Sequence, residues 1–120
     1  MQAADTGGEV ALKIDHMRVE PEGTPGQYRY RMLVVSGGGK QARDLKASLQ
    51  LSIKVQQDNK DAMISLPTEA EQNSPRYRFE IKHFQRLEGT FSVPVGAVVK
   101  SVEARLIQDG SVRSRQSVTL

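Results

Sequence analysis

The sequence has no cysteine and no tryptophan, and its aromatic residues are three tyrosines and three phenylalanines. The absence of cysteine excludes disulfides, thiolate metal sites and cysteine nucleophiles, and it fits both a cytoplasmic protein and a bacterial envelope domain. No stretch approaches the roughly 18 consecutive apolar residues of a membrane span. The net charge of +3 is modest for a nucleic-acid binder, and 120 residues suit one domain.

The first residues, MQAADTGG, lack the basic and apolar regions of a signal peptide. We interpret residues 1–8 as a flexible lead-in or a cloning remnant, and residues 9–120 as a single domain. Because the chain then enters a strand pattern abruptly, as an excised domain would, the missing targeting signal says little about the native full-length protein.

Apolar residues recur with a period of two, which places them on one face of a strand and is incompatible with a helix. The clearest case is LKASLQLSIKV, whose alternating apolar positions are Leu45, Ala47, Leu49, Leu51, Ile53 and Val55. About eight such short segments, separated by turn signals, predict an all-β fold. We expect an antiparallel β-sandwich, immunoglobulin-like in style, of about eight strands.

Local signals predict several connections of this sandwich. Asp109–Gly110 between two apolar runs indicates a tight hairpin, and DNKD after Gln57 is typical of a polar turn. The alternation slips after Asp15 and resumes at Met17, which predicts a β-bulge. Ala62–Leu66 is short and predicted to be an edge strand. Gly89 is predicted to break the strand pair within RLEGTFSVP.

The chain has two histidines, His16 and His83, far apart and without a flanking metal-binding motif. A catalytic interpretation makes His83 a general base with Glu88 as its partner. The alternative, which we favour, places His83 on the inward face or rim of a strand with Phe79 and Ile81. We therefore expect no catalytic residue, no metal and no cofactor, although a hydrolase that uses His83 and Glu88 stays an open alternative.

Arginine and aromatic residues alternate in YRYR and RYRF. In a strand these neighbours face opposite sides, so the aromatic rings are predicted to point to the core and the arginines to solvent. That separation argues against a nucleic-acid-binding sheet, which presents both on one surface. If their strands share a sheet, the cations form one basic face, for which we expect a binding role: Arg29, Arg31, Lys46, Lys54, Arg78 and Lys82.

The stretch FEIKHFQRLEGTFSVPVGAVVKSVEARL resembles the C-terminal β domain of a family of proteobacterial envelope proteins of unknown function, DUF6776. The family pattern is roughly F-x-F-x-x-F-Q-x-x-E-G-x-x-x-x-P-x-G followed by V-x-V-x-L. His83 stands where the pattern has an aromatic residue. The matching positions are Phe79, Ile81, Phe84, Gln85, Glu88, Gly89, Pro94, Gly96, Val102, Ala104 and Leu106.

The resemblance implies a periplasmic domain of a bacterial protein anchored in the inner membrane by an N-terminal helix, while a cytoplasmic location stays open. We expect a non-enzymatic interaction or scaffolding domain. It would bind a protein or an anionic envelope component through the basic face or through an edge strand such as Ala62–Leu66. The alternative is a polyanion or nucleic-acid binder that uses the same basic face.

Overall fold

The computed structural model describes residues 12–36, 45–68, 70, 74 and 77–120, and the predicted lead-in of residues 1–8 lies outside them. Within this part, the chain forms strands joined by short connections. The strands are β1 Leu12–Pro21, β2 Gln27–Ser36, β3 Leu45–Gln57, β4 Lys60–Leu66, β5 Arg78–Ile81, β6 Phe84–Ser92, β7 Val98–Gln108 and β8 Ser111–Thr119.

The strands form two antiparallel sheets, which confirms the predicted sandwich. The front sheet has the order β1-β2-β6. The back sheet has the order β4-β3-β7-β8, and β5 pairs with the first residues of β3, Leu45–Ser48. On one side of the sandwich β1 lies against β8, where the backbone nitrogen of Ile14 donates to Ser114 Oγ at 3.3 Å. On the other side lie the outer strands β4 and β6.

The core lies between the sheets and consists of the predicted alternating positions. Tyr30, Leu49 and Val102 are fully buried, and the predicted inward face of β3 is buried from Ala47 to Val55. The aromatic residues of YRYR and RYRF also turn inward, as expected, with Tyr77 buried. This burial on one face of each strand fixes the register, because a shift by one residue would expose the whole apolar set.

The predicted hairpins and bulge are confirmed. Asp58 and Asn59 both have positive φ, as a two-residue type I′ turn between β3 and β4 requires. Asp109 and Gly110 also both have positive φ and form the corresponding turn between β7 and β8. The register of β1 against β2 shifts between Asp15 and Arg18, and His16 at the centre of this bulge has a φ of 55°.

Two expectations for Phe79–Gly96 are wrong. Gly89 does not break a strand, because it lies inside β6 directly opposite Tyr30 of β2. The chain instead bends at Lys82 and His83, between β5 of the back sheet and β6 of the front sheet. His83 is therefore exposed in a bend and does not lie on the inward face with Phe79 and Ile81.

Candidate functional site

The predicted basic face is divided between the two sheets. Arg29 and Arg31 lie on the outer surface of the front sheet, whereas Lys46, Lys54 and Arg78 lie on the outer surface of the back sheet. Lys82 lies in the bend after β5. The condition that their strands share a sheet is not met, because β2 pairs with β1 and β6 and not with β3. The six cations therefore cannot contact one flat partner together.

Arg29 and Arg31 of the front sheet form ion pairs with nearby carboxylates. Arg29 Nε donates to Glu22 Oε2 at 2.8 Å, and Arg29 Nη1 donates to Glu88 Oε2 at 3.1 Å. Arg31 Nη2 donates to Glu20 Oε1 at 3.0 Å, and its Nε lies 3.9 Å from Glu88 Oε2. The hydrogen bond that Arg29 donates to Glu22, together with the charges of Glu22 and Glu88, raises the pKa of Arg29. Much of the positive charge at Arg29 and Arg31 is thus compensated within the fold.

On the back sheet, Lys46 and Arg78 line one cavity of about 580 Å³. The same cavity is lined by Glu80, which lies directly opposite Lys46, and by Asp109 of the β7–β8 turn. Positive and negative groups therefore alternate around this cavity, and it is not a purely cationic surface. Lys54 lies further along β3, between Met63 of β4 and Ser101 of β7.

The structure does not bring His83 and Glu88 together in a cavity. The backbone carbonyl of His83 accepts a hydrogen bond from the nitrogen of Ser36 at 2.8 Å, so its main chain joins the end of β2. Glu88 projects from the middle of β6 and is bound to Arg29. Neither side chain lines the cavities of about 480 and 580 Å³ on the back sheet or the cavity of about 340 Å³ on the front sheet. Glu88 is here a structural partner of arginines.

The predicted edge strand is confirmed as β4, at the border of the back sheet. The register pairs Gln57 with Lys60 across the two-residue turn, so these residues exchange both backbone hydrogen bonds. Along β3 and β4, hydrogen-bonded residue pairs then alternate with non-hydrogen-bonded pairs. Lys60, Ala62, Ile64 and Leu66 consequently bond to β3. The backbone N–H and C=O groups of Asp61, Met63 and Ser65 point away from it, and in the described residues no strand pairs with that edge.

One cluster was not predicted. A cavity of about 340 Å³ on the outer surface of the front sheet is lined by His16, Arg18, Arg31, Leu33 and Arg86, with Met32 beneath. Register brings these residues together, because Arg18 lies opposite Arg31 while Arg86 lies opposite Leu33. The slip in the apolar alternation predicts the bulge. The sequence contains no local signal for the pairing of β2 with β6, because this pairing joins residues such as Leu33 and Arg86 that lie more than 50 positions apart.

No helix in ranges 12–36, 45–68 and 77–120 is long and apolar enough to cross a membrane. In the same ranges, no three histidine or carboxylate side chains are placed to hold a metal ion.

Known proteins give few comparisons. No curated protein matches this sequence significantly. Among solved structures, the sporulation control protein Spo0M from Bacillus subtilis is similar, with a TM-score of 0.47 and 17% sequence identity. The match covers 92% of this chain but only 48% of Spo0M, and at this level of similarity it supports no inference about the present protein. The sequence profile of a family of unknown function, DUF6776, matches residues 3–104. The match spans most of the chain, and the protein therefore belongs to the DUF6776 family.

Proposed function

We propose that this domain is a non-enzymatic interaction module of a bacterial cell-envelope protein, and that it binds an extended segment of a protein partner by strand addition at β4. The observation that carries the proposal is the outer edge of β4, where the backbone groups of Asp61, Met63 and Ser65 point away from β3. An added strand would pair with these groups and extend the back sheet by one strand.

The side chains of β4 suit this role. Natural edge strands are usually protected by charges, proline or a bulge. Ala62–Leu66 carries no charge and no proline, and its register with β3 is regular from Leu66 to Lys60. The other edge strands on this side carry charges along their length: β5 has Arg78 and Glu80, and β6 has Arg86 and Glu88. The two charges of β4, Lys60 and Asp61, lie at its start and leave Ala62–Leu66 uncharged, so β4 is the better acceptor for a partner.

Apolar surface at the same edge would add affinity to the backbone pairing. Met63 is 62% exposed on the outer face of β4. Ile64 and Leu66 face inward and are only half-buried, because they lie at the border of the sandwich. A partner strand with apolar side chains on the inward face would cover both residues. Removal of this apolar surface from water would favour binding.

The edge can be tested by removing one backbone donor. In Met63→Pro, the N–H at the centre of the free edge disappears, while the bonds of Ala62 and Ile64 to β3 stay. Proline is tolerated on an edge strand where its missing N–H would face solvent. Met63→Thr is the matched control, because it keeps the N–H and the β propensity but removes the same side chain. Circular dichroism and thermal unfolding establish that both variants fold.

Each variant is immobilised and exposed to bacterial envelope extract at low and at raised salt. We expect a protein that wild type and Met63→Thr retain and Met63→Pro loses, with little dependence on salt, since the contact is built from backbone hydrogen bonds and apolar surface. Equal retention by the proline variant would exclude the edge. Retention of a polyanion that salt releases would favour a charged surface instead.

The envelope location is a separate part of the proposal and rests on the resemblance of the family motif to envelope proteins. Cell fractionation of the native full-length protein tests it directly. Recovery with the membrane or periplasmic fraction is expected, and recovery with the cytosolic fraction would contradict it. Recovery with the cytosolic fraction would also change the edge experiment, which would then use cytosolic extract, because strand addition needs the folded domain and its partner.

A further inference from the structure

The β-bulge of the front sheet creates an unfavourable arrangement of charges. Arg18 lies directly opposite Arg31 on neighbouring strands, and like charges in this position destabilise a sheet. Arg86 approaches the same point from β6, where it lies opposite Leu33. Three guanidinium groups and the imidazole of His16 thus surround one cavity of about 340 Å³. Positive charge is therefore concentrated at this point of the front sheet.

Among the described residues, carboxylates compensate one of these three arginines. Arg31 is bound to Glu20 and lies near Glu88, and Asp15 lies 3.4 Å from His16 Nδ1. Within the described ranges, Arg18 and Arg86 form no ion pair with any carboxylate. Both side chains are exposed at the cavity, Arg18 on β1 and Arg86 on β6, which are the two strands that flank β2. Their charge is therefore available to an outside anion.

We infer that the cavity formed by His16, Arg18, Arg31, Leu33 and Arg86 is a phosphate-binding site, which takes a phosphate group either free or as the monoester headgroup of a lipid. Arginine suits this ligand, because its planar fork donates two parallel hydrogen bonds to phosphate oxygens. Arg18 and Arg86 supply the uncompensated charge. Arg31, held by Glu20, supports the cavity wall between them.

The surroundings are compatible with both sources of the phosphate group. Next to the Leu33–Arg86 pair lies the pair of Val35 and Phe84, which also faces outward, and Phe84 is 69% exposed. An apolar surface beside a cationic cavity can rest on the acyl boundary of a membrane while the headgroup occupies the cavity. A free phosphate group needs only the arginines, so the two sources predict different behaviour with vesicles.

The test compares two charge-matched double variants of the whole chain. Arg18→Gln/Arg86→Gln removes the uncompensated cations. Lys54→Gln/Lys100→Gln removes the same number of charges from exposed positions of the back sheet. Binding of inorganic phosphate is followed by amide chemical shifts in NMR titrations against sodium chloride of equal ionic strength. Binding to phosphatidylcholine vesicles with and without phosphatidic acid is followed by flotation.

We expect saturable phosphate binding to wild type and to the lysine double variant. Because the double variant removes two charge-assisted contacts that are partly screened by solvent, it should weaken phosphate binding about tenfold. Flotation that requires phosphatidic acid and that soluble phosphate displaces would assign the site to a lipid headgroup. Phosphate binding without flotation would assign it to the free anion. Absence of both, or equal weakening in both double variants, would overturn the inference.

Discussion

Gly89 provides the sharpest test of the packing between β2 and β6. The residue lies inside β6 directly opposite Tyr30, whose side chain is completely buried. A Cβ atom at Gly89 would stand 2.6 Å from Tyr30 Oη, 2.9 Å from Cζ and 3.0 Å from Cε2. The phenol ring covers the glycine so closely that no side chain fits. We therefore expect Gly89→Ala to destabilise the domain.

The expected change in the free energy of unfolding of Gly89→Ala follows from two opposing effects. Overpacking a well-filled core costs typically about 1–3 kcal/mol, and the ring of Tyr30 has little freedom to move because it is buried. Replacing a strand glycine by alanine normally stabilises by roughly 0.5–1 kcal/mol, because glycine loses more backbone entropy on folding. The net expectation is a loss of about 1–2 kcal/mol, or a fall in melting temperature of roughly 4–8 °C for a chain of this size.

Urea unfolding followed by far-ultraviolet circular dichroism is the suitable assay, since the chain has no tryptophan to report by fluorescence. The double variant Tyr30→Leu/Gly89→Ala serves as the control. The added methyl group would fill part of the space that the ring vacates, so the two changes together should cost less than the sum of their separate costs. An alanine variant as stable as wild type, or additive costs in the double variant, would refute the proposed contact between Tyr30 and Gly89.

Two further predictions concern residues with positive φ. Gly26→Ala should lower the free energy of unfolding by about 2–3 kcal/mol and Gly110→Ala by only about 1 kcal/mol. Their φ values of 84° and 78° are alike, so the backbone strain is similar. The difference arises because a Cβ at Gly26 would lie 2.9 Å from the Val93 carbonyl oxygen, whereas the space at Gly110 is open. Equal urea midpoints would contradict this difference. At the bulge, His16→Val should destabilise by about 1–2 kcal/mol, since a β-branched residue tolerates φ 55° poorly, and His16→Gly should be neutral or stabilising. A valine variant with an unchanged melting temperature would exclude this backbone geometry.

Local patterns were sufficient to predict the strands outside Phe79–Gly96, the hairpin turns, the bulge and the edge position of β4. Each depends on residues close together in sequence, such as the alternation of Leu45–Val55 or the Asp109–Gly110 pair. The assignment of strands to sheets was different. The basic face required β2 and β3 to lie in one sheet, and they do not. Strand order depends on contacts between distant segments, for which the alternation within a single strand contains no information.

The error at Phe79–Phe91 has a specific physical reason. The inward positions are odd-numbered in both β5 and β6, so that Phe79 and Ile81 face the core from the back sheet while Leu87 and Phe91 face it from the front sheet. The chain changes sheets at Lys82 and His83 without changing this parity. A period of two therefore continues through the crossing. The pattern places the break at Gly89, because nothing in the sequence shows that Tyr30 covers this glycine.

The strand edge and the arginine cavity lie in different sheets, which makes the two proposals separable. Met63 is on β4 of the back sheet, whereas Arg18 and Arg86 are on the two outer strands of the front sheet. Substitutions at distant sites with no shared partner act nearly additively. The Met63→Pro chain should consequently bind phosphate as wild type does, and the Arg18→Gln/Arg86→Gln chain should retain the protein partner. Loss of both activities in either variant would point to a folding defect, so each chain serves as the folding control for the other.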